Sequence, residues 1–270
     1  MALFSNDKAE WICQRAQSRY LDARLNLERA NEATERVLET LGRKQWDVAV
    51  SLSVFSDCME RIQERPVFAK LQSQGLHLPP LDLQQCRARE AELKKLVSSA
   101  ANPPQALASV SCGLVLGSGF LLSLPVFLAL NAIWDGQVDQ AYLVEARASE
   151  YERKAREQVR FLERLGREAE SLYHAMDALN ALYRRVVTRL HEMTKRHASW
   201  AAYAPREREL VKMAVDLTGI LYGMCKIHLL ATKGNEDQPP EINQTDITVG
   251  LARAEQVTRA WHLPRINAGV

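Results

Sequence analysis

The chain has 270 residues, of which 47% are hydrophobic and 25% are charged, and its 35 Lys and Arg nearly balance its 33 Asp and Glu. This balance argues against a general affinity for nucleic acid, which needs a basic excess or a basic face. The five cysteines are scattered and include no CxxC pair. We therefore expect no disulfide framework, and the cysteine pattern indicates a reducing compartment.

The N-terminal region predicts amphipathic helices. Apolar residues three or four apart fill one face of 12–41, and Gly42 is placed to end this first helix. The same spacing continues over 48–62, where Arg65-Pro66 is expected to end a second helix because the residue before proline disfavours the helical region. A short charged helix is predicted over 84–97.

The C-terminal half predicts longer helices. Apolar residues alternate three and four apart over 165–193, and the register extends back to Ala148. A strict seven-residue repeat of this length is typical of a coiled coil. It predicts one helix over 140–197, with a bend at Gly166. Pro205 is suited to the first position of a further helix, and a short helix is expected over 246–261.

These patterns predict an all-α fold, an elongated antiparallel helical bundle or coiled coil with a central apolar helical hairpin. The heptad regions on either side of the hairpin are expected to pair with each other. The predicted divisions are N-terminal heptad helices over 1–73, a linker and short helix over 74–104, the apolar hairpin over 105–134, long coiled-coil helices over 135–232, and a flexible linker with a short helix over 233–270.

The charge-free run from Leu96 to Trp134 is the most informative feature of the sequence, because its 39 residues could cross a bilayer. A single span would place the two heptad regions on opposite sides of the membrane. A hairpin would keep them together, and Gly117-Ser118-Gly119 supplies a turn between two arms, Gln105–Leu116 and Phe120–Trp134. We expect the hairpin, with the single span and burial within a soluble bundle as alternatives.

The hairpin hypothesis assigns two sets of site residues. Those expected to enter the membrane are Leu107, Leu114, Leu116, Phe120, Leu121, Leu122, Val126, Phe127, Leu128 and Trp134. Those expected to provide helix packing or the turn are Ser109, Gly113, Gly117 and Gly119. The spacing of Ser109, Gly113 and Gly117 allows helix backbones to approach closely in lipid, which favours self-association.

Three segments carry a family resemblance: Leu38–Phe68, the GLVLG centre at Gly113–Gly117, and Tyr203–Leu230. In this order they resemble a loosely defined group of bacterial all-helical proteins with a central glycine-zipper-like apolar segment, similar to apolipoprotein-L-like proteins and α-helical pore-forming proteins. The resemblance implies membrane association and supplies no substrate.

No P-loop, GxGxxG, GxSxG or HExxH motif occurs in the sequence. Cys225 and His228, three apart on a predicted helix face, lack the two further ligands that a zinc site needs. We therefore expect a non-enzymatic protein without catalytic residues, metal or cofactor. Its expected partners are a lipid bilayer, further copies of itself and a protein partner. The expected location is the cytoplasmic face of a membrane (the inner membrane in a bacterium), or the cytoplasm until a trigger. The alternatives are a soluble helical adaptor and a single-pass coiled-coil membrane protein.

Overall fold

The structure is a computed structural model that describes residues 2–73, 78, 81–100, 103–112, 138–231 and 240–261. Its elements in chain order are α1 (Ala2–Arg61), α2 (Phe68–Leu71), α3 (Leu83–Ser99), α4 (Pro103–Cys112), α5 (Val138–Arg196), a 3₁₀ turn (Trp200–Ala202), α6 (Pro205–Met224), β1 (Leu230–Ala231), β2 (Glu241–Ile242) and α7 (Gln244–Ala260). The predicted all-α class is confirmed. The sequence pattern missed the antiparallel two-residue ladder between β1 and β2.

The first two predicted helices form one 60-residue helix, α1. The prediction that Gly42 ends a helix is therefore wrong. A Cβ atom at Gly42 would lie 1.9 Å from the carbonyl oxygen of Leu107. The glycine lets the backbone of α4 approach α1 closely, which is a different use of the missing side chain from helix termination.

The heptad pattern of α5 predicts its buried face correctly. Of the residues from Ala148 to Met193 that share this register, Gln158 is the polar one and is half-buried. The others are buried: Ala148, Tyr151, Ala155, Leu162, Leu165, Ala169, Leu172, Met176, Leu179, Tyr183, Val186, Leu190 and Met193. Helix α6 begins at Pro205 as predicted, because proline at the first position needs no hydrogen-bond partner for its nitrogen.

The chain divides into two compact units, and the division crosses both long helices rather than following the predicted segments. Unit 1 comprises residues 1–36 and 117–166. In it, Ala9 and Ile12 of α1 pack against Ala141 of α5, and Ala23 packs against Tyr151. Since residue numbers increase in the same direction along both helices in these contacts, the two segments are parallel.

Unit 2 comprises residues 37–116 and 167–270. Here too α1 and α5 are parallel, since Lys44 pairs with Asp177 at 2.6 Å and Gln63 accepts a hydrogen bond from Trp200 just beyond α5. The predicted antiparallel pairing of the two heptad regions is therefore not observed. A heptad stripe defines which face is buried and leaves the direction of its partner open.

Antiparallel neighbours of α1 do occur in unit 2. Arg87 near the start of α3 pairs with Asp57, and Leu93 near its end packs against Ala49. Helix α3 is therefore antiparallel to α1 and packs on the buried face of α1.

A buried carboxylate holds the C-terminal part of unit 2 together. Asp216 of α6 is fully buried, and its Oδ1 accepts a hydrogen bond from the backbone N–H of Ser73 at 3.2 Å. Its Oδ2 accepts from the Ser73 hydroxyl at 2.5 Å and from the indole N–H of Trp261 at 3.0 Å. Burial raises the pKa of Asp216 even though these donors act against the shift.

This raised pKa predicts a pH dependence of stability. A raised folded-state pKa means that the contribution of Asp216 is fully present below its unfolded pKa, about 3.9, and is lost as pH rises through the folded value. The free energy of unfolding of the wild type, relative to Asp216→Asn, should therefore fall as pH rises above about 4. Urea unfolding across this range measures it, and a difference that stays constant or grows with pH would contradict the assignment.

Candidate functional site

The first part of the charge-free run belongs to the core of unit 2. Leu96 packs against a cluster of Ala49, Leu93 and Val110. Helix α4 carries the run as far as Cys112, and its residues 108–112 are buried. The rest of the run, Gly113–Trp134, has 22 residues and no charge and lies outside the described residues.

Two of the predicted site residues lie on α4. Leu107 is half-buried, with its carbonyl against Gly42, and Ser109 is buried with its hydroxyl donating to the carbonyl of Ala106 at 2.7 Å. Most of the predicted first hairpin arm is therefore packed in unit 2. The other predicted site residues lie outside the described residues: Gly113, Leu114, Leu116, Gly117, Gly119, Phe120, Leu121, Leu122, Val126, Phe127, Leu128 and Trp134.

The end of α4 is fixed by hydrogen bonds. The Ser111 hydroxyl donates to the carbonyl of Leu38 at 3.1 Å and lies 3.3 Å from Oε1 of Gln45. The Ser111 carbonyl accepts from the backbone N–H of Leu229 at 2.9 Å. Since Ser111 is fully buried, these contacts tie the start of the remaining apolar segment to α1.

The described chain resumes at Val138, where α5 begins. Ala141 lies against Ala9 and Ile12 of α1 in unit 1. Two described residues that flank the apolar segment, Ser111 in unit 2 and Ala141 in unit 1, therefore each contact α1 within their own unit. Among the helices that the structure describes, none has the length and apolar character needed to cross a bilayer.

Unit 1 also exposes large apolar side chains. Trp11, Leu21 and Leu25 of α1, with Tyr142 and Leu143 of α5, are between 45% and 57% exposed. At 100° per residue, the three α1 residues fall within an arc of about 80°, opposite the alanine face that contacts α5. Helix α1 therefore has two apolar faces here, and heptad analysis finds only the one that packs on α5.

A cation lies close to each of two exposed aromatic rings in the described part of unit 1. The Arg15 guanidinium lies 4.7 Å from the ring centre of Trp11, and the Lys8 ammonium lies 5.7 Å from that of Tyr142. Tryptophan and tyrosine beside basic side chains are typical of the interface between a membrane and water. These residues were not among the predicted site residues, because they stand outside the main heptad register.

The pKa values of two thiols in unit 2 are raised, whereas activation of a cysteine as a nucleophile requires a lowered pKa. Cys58 lies 3.6 Å from Nδ1 of His191, a pair separated by 133 residues, and burial raises the pKa of its thiol. Cys225, buried against the carbonyl of Gln45, has its pKa raised to about 12. Protonated thiols are poor nucleophiles and poor metal ligands.

The predicted helix face of Cys225 and His228 is also absent, because α6 ends at Met224. Within the described ranges, no three His, Cys, Asp or Glu side chains are grouped as metal ligands would be. We take the exposed apolar and basic side chains of unit 1 as the candidate site. In comparisons with known proteins, no family model, curated relative or solved structure matches this chain.

Proposed function

We propose that this is a membrane-associated helical protein whose segment Gly113–Trp134 enters a bilayer, and which self-associates to permeabilise or scaffold the membrane. The observation that carries the proposal is a run of 22 residues without charge, in a sequence of which 25% is charged. A run of 18 or more apolar residues is long enough to reach across the hydrocarbon core. Exposing such a segment to water is costly, since each buried methylene is stabilised by about 0.8 kcal/mol.

The sequence of the segment favours a hairpin over a single span. Gly117-Ser118-Gly119 supplies the turn that a hairpin needs. The arm that follows this turn, Phe120–Trp134, would reach about 22 Å as helix, which is short of the hydrocarbon core of about 30 Å.

The exposed residues of unit 1 support a surface that rests on lipid. Trp11 with Arg15, and Tyr142 with Lys8, combine an apolar ring with a cation as interfacial residues do. Ala141, next to Tyr142, lies seven residues after Trp134, the last residue of the apolar segment. These rings would meet headgroups where the segment enters the membrane.

Vesicle flotation with the purified protein tests this function. Wild-type protein is expected to float with vesicles and to release an entrapped dye. In Leu121→Asp/Phe127→Asp, both the floating fraction and the dye release should fall at least about tenfold. The physical reason is that a charged Asp costs about 2.5–3.5 kcal/mol at the centre of a membrane helix.

The matched control is Val54→Asp/Val67→Asp, which adds the same two charges at positions 42% and 65% exposed in unit 2. This variant should float and release dye as the wild type does. Absence of flotation in the wild type, or equal flotation of the two double variants, would contradict the proposal.

A soluble helical adaptor is a second candidate, favoured by the burial of the first part of the charge-free run. Ala108, Val110 and Cys112 are all at most 6% exposed in unit 2. This candidate predicts a monodisperse protein without detergent that does not float with vesicles. Light scattering of the detergent-free protein, read together with flotation, separates the two functions.

A further inference from the structure

A cavity of about 320 Å³ opens in unit 2 between the end of α6 and helix α7. This volume is at the lower end of the range found for small-molecule sites. Its apolar lining consists of Val249, which is 41% exposed, and of Ile220, Met224 and Ile227, which are at most 8% exposed. Its polar rim includes Gln85 of α3, Lys226 and Arg253.

The local sequence explains why the two helices leave this space. Helix α6 ends at Met224, and the chain turns before Ile227 returns along α7. A Cβ atom at Gly250 would lie 2.3 Å from Cδ1, the flexible end of the Ile227 side chain, so Ile227 is in close contact with α7 at this glycine. The close contact at this point forms the inner wall of the cavity.

The rim carries more positive charge than its carboxylate can balance. Neither Lys226 nor Arg253 has a carboxylate partner among the described residues, and Arg253 is only half-exposed. Asp246, the acidic residue of the lining, accepts from the Asn243 side-chain amide at 2.7 Å and lies in the first turn of α7. Its charge is therefore already matched by an amide donor and by the helix N-terminus.

The ring of Tyr222 organises the remaining side of the rim. Its hydroxyl donates to Oε1 of Gln85 at 3.0 Å, and the Lys226 ammonium lies 4.9 Å from its ring centre. The ring holds the Lys226 ammonium at the edge of the cavity and does not neutralise its positive charge. An anion can therefore reach this ammonium.

We infer that this cavity binds a single-chain anionic amphiphile, with its carboxylate or phosphate headgroup at Lys226 and Arg253 and its apolar chain along Val249 and Ile227. Two cations that lack a carboxylate partner among the described residues, beside an apolar lining, match a ligand with one charged end and one apolar end. This inference stands independently of the proposed membrane function, because every residue that carries it lies on α3, α6 or α7 or in the turn after α6.

Isothermal titration calorimetry with decanoate, decan-1-ol and inorganic phosphate tests the site in the full-length protein. Decanoate is expected to bind saturably, and more weakly as the salt concentration rises. Decan-1-ol, which lacks the charge, and phosphate, which lacks the apolar chain, are expected to bind more weakly than decanoate. Arg253→Gln should weaken decanoate binding by about tenfold through the loss of a charge-assisted contact. Arg253→Lys should restore most of this loss.

Arg259→Gln is the matched control, since it removes the same charge from the same helix at an exposed position outside the cavity. It should bind decanoate as the wild type does, and Val249→Trp should block binding by filling the cavity. The absence of saturable decanoate binding, equal losses in Arg253→Gln and Arg259→Gln, or equally tight binding of decan-1-ol would overturn the inference.

Vesicle flotation of the same variants distinguishes the source of the amphiphile. If Arg253→Gln weakens decanoate binding and floats as the wild type does, the ligand is a free amphiphile. If Arg253→Gln also floats less than Arg259→Gln, the cavity accepts the headgroup of a membrane lipid. Both results support an anionic amphiphile as the ligand.

Discussion

Gly42→Ala is expected to lower the free energy of unfolding by about 2 kcal/mol, because its new Cβ atom would overlap the backbone of α4. The atom would lie 1.9 Å from the Leu107 carbonyl oxygen, which cannot rotate away as a side chain can. Relief requires that α4 move off α1, which breaks the buried Ser111–Leu38 hydrogen bond. The usual gain of about 1 kcal/mol for Gly to Ala within a helix is too small to compensate.

Gly166→Ala is the matched control for this substitution, since both glycines lie inside long helices. The atom nearest to a Cβ at Gly166 is the Thr34 hydroxyl oxygen at 4.0 Å, which is ordinary contact distance. This variant should therefore raise stability by about 0.5–1 kcal/mol. Urea unfolding followed by circular dichroism measures both, and shifts of the same sign would contradict the close packing of α4 on α1.

Amide hydrogen exchange is expected to be at least about 100-fold slower in residues 38–61 of α1 than in residues 9–34 of the same helix. The physical reason is the size of the side chains that each part buries. In unit 1, alanine dominates the contact with α5, as at Ala9 and Ala23. In unit 2 the same helix buries Leu38, Leu41, Leu52, Phe55 and Met59 completely.

Burial of a large side chain stabilises by about 1.5–3 kcal/mol, whereas alanine contributes roughly one methyl group. A hundredfold difference in exchange corresponds to only about 2.7 kcal/mol. Mass spectrometry of peptides from the two halves of α1 measures it directly. Equal protection along α1 would show that the two units open together and that the alanine contact is as stable as the core of unit 2.

The sequence predicted the faces of the long helices well, because burial follows apolar periodicity. The stripe from Ala148 to Met193 is an example, and so is the start of α6 at Pro205. Direction was not predictable in the same way. The parallel course of α1 and α5 depends on which of several apolar stripes meet, and each helix would bury its stripe equally well with either orientation.

The role of glycine was also not predictable from the sequence. Gly42 has the composition signal of a helix end, yet it serves a close contact with a helix 65 residues away in sequence. Gly250 is similar, since its contact with Ile227 forms a cavity wall. In both cases the partner lies in another element, so only the three-dimensional structure distinguishes a stop from a close approach.

The candidate site was predicted in part. The charge-free run was evident from composition, but the structure shows that its residues up to Cys112 contribute to unit 2. Trp11 and Tyr142 were missed because an exposed aromatic residue in a polar helix has no periodic signal of its own. Their cation partners, Arg15 and Lys8, became evident only from side-chain distances.

A dye attached within Gly113–Trp134 provides the most direct test of whether this segment enters lipid. Cys58, Cys86, Cys112 and Cys225 are buried, so a Cys13→Ser background leaves the folded protein without an accessible native thiol. In this background, Phe127→Cys carries an environment-sensitive dye, and Val54→Cys on the exposed surface of unit 2 is the control.

Addition of vesicles should shift the emission of the dye to the blue and raise its intensity in Phe127→Cys, while Val54→Cys stays unchanged. That result would place the segment in a dry, apolar environment that forms only with lipid. An unchanged spectrum in Phe127→Cys, or the same change at both positions, would contradict the account.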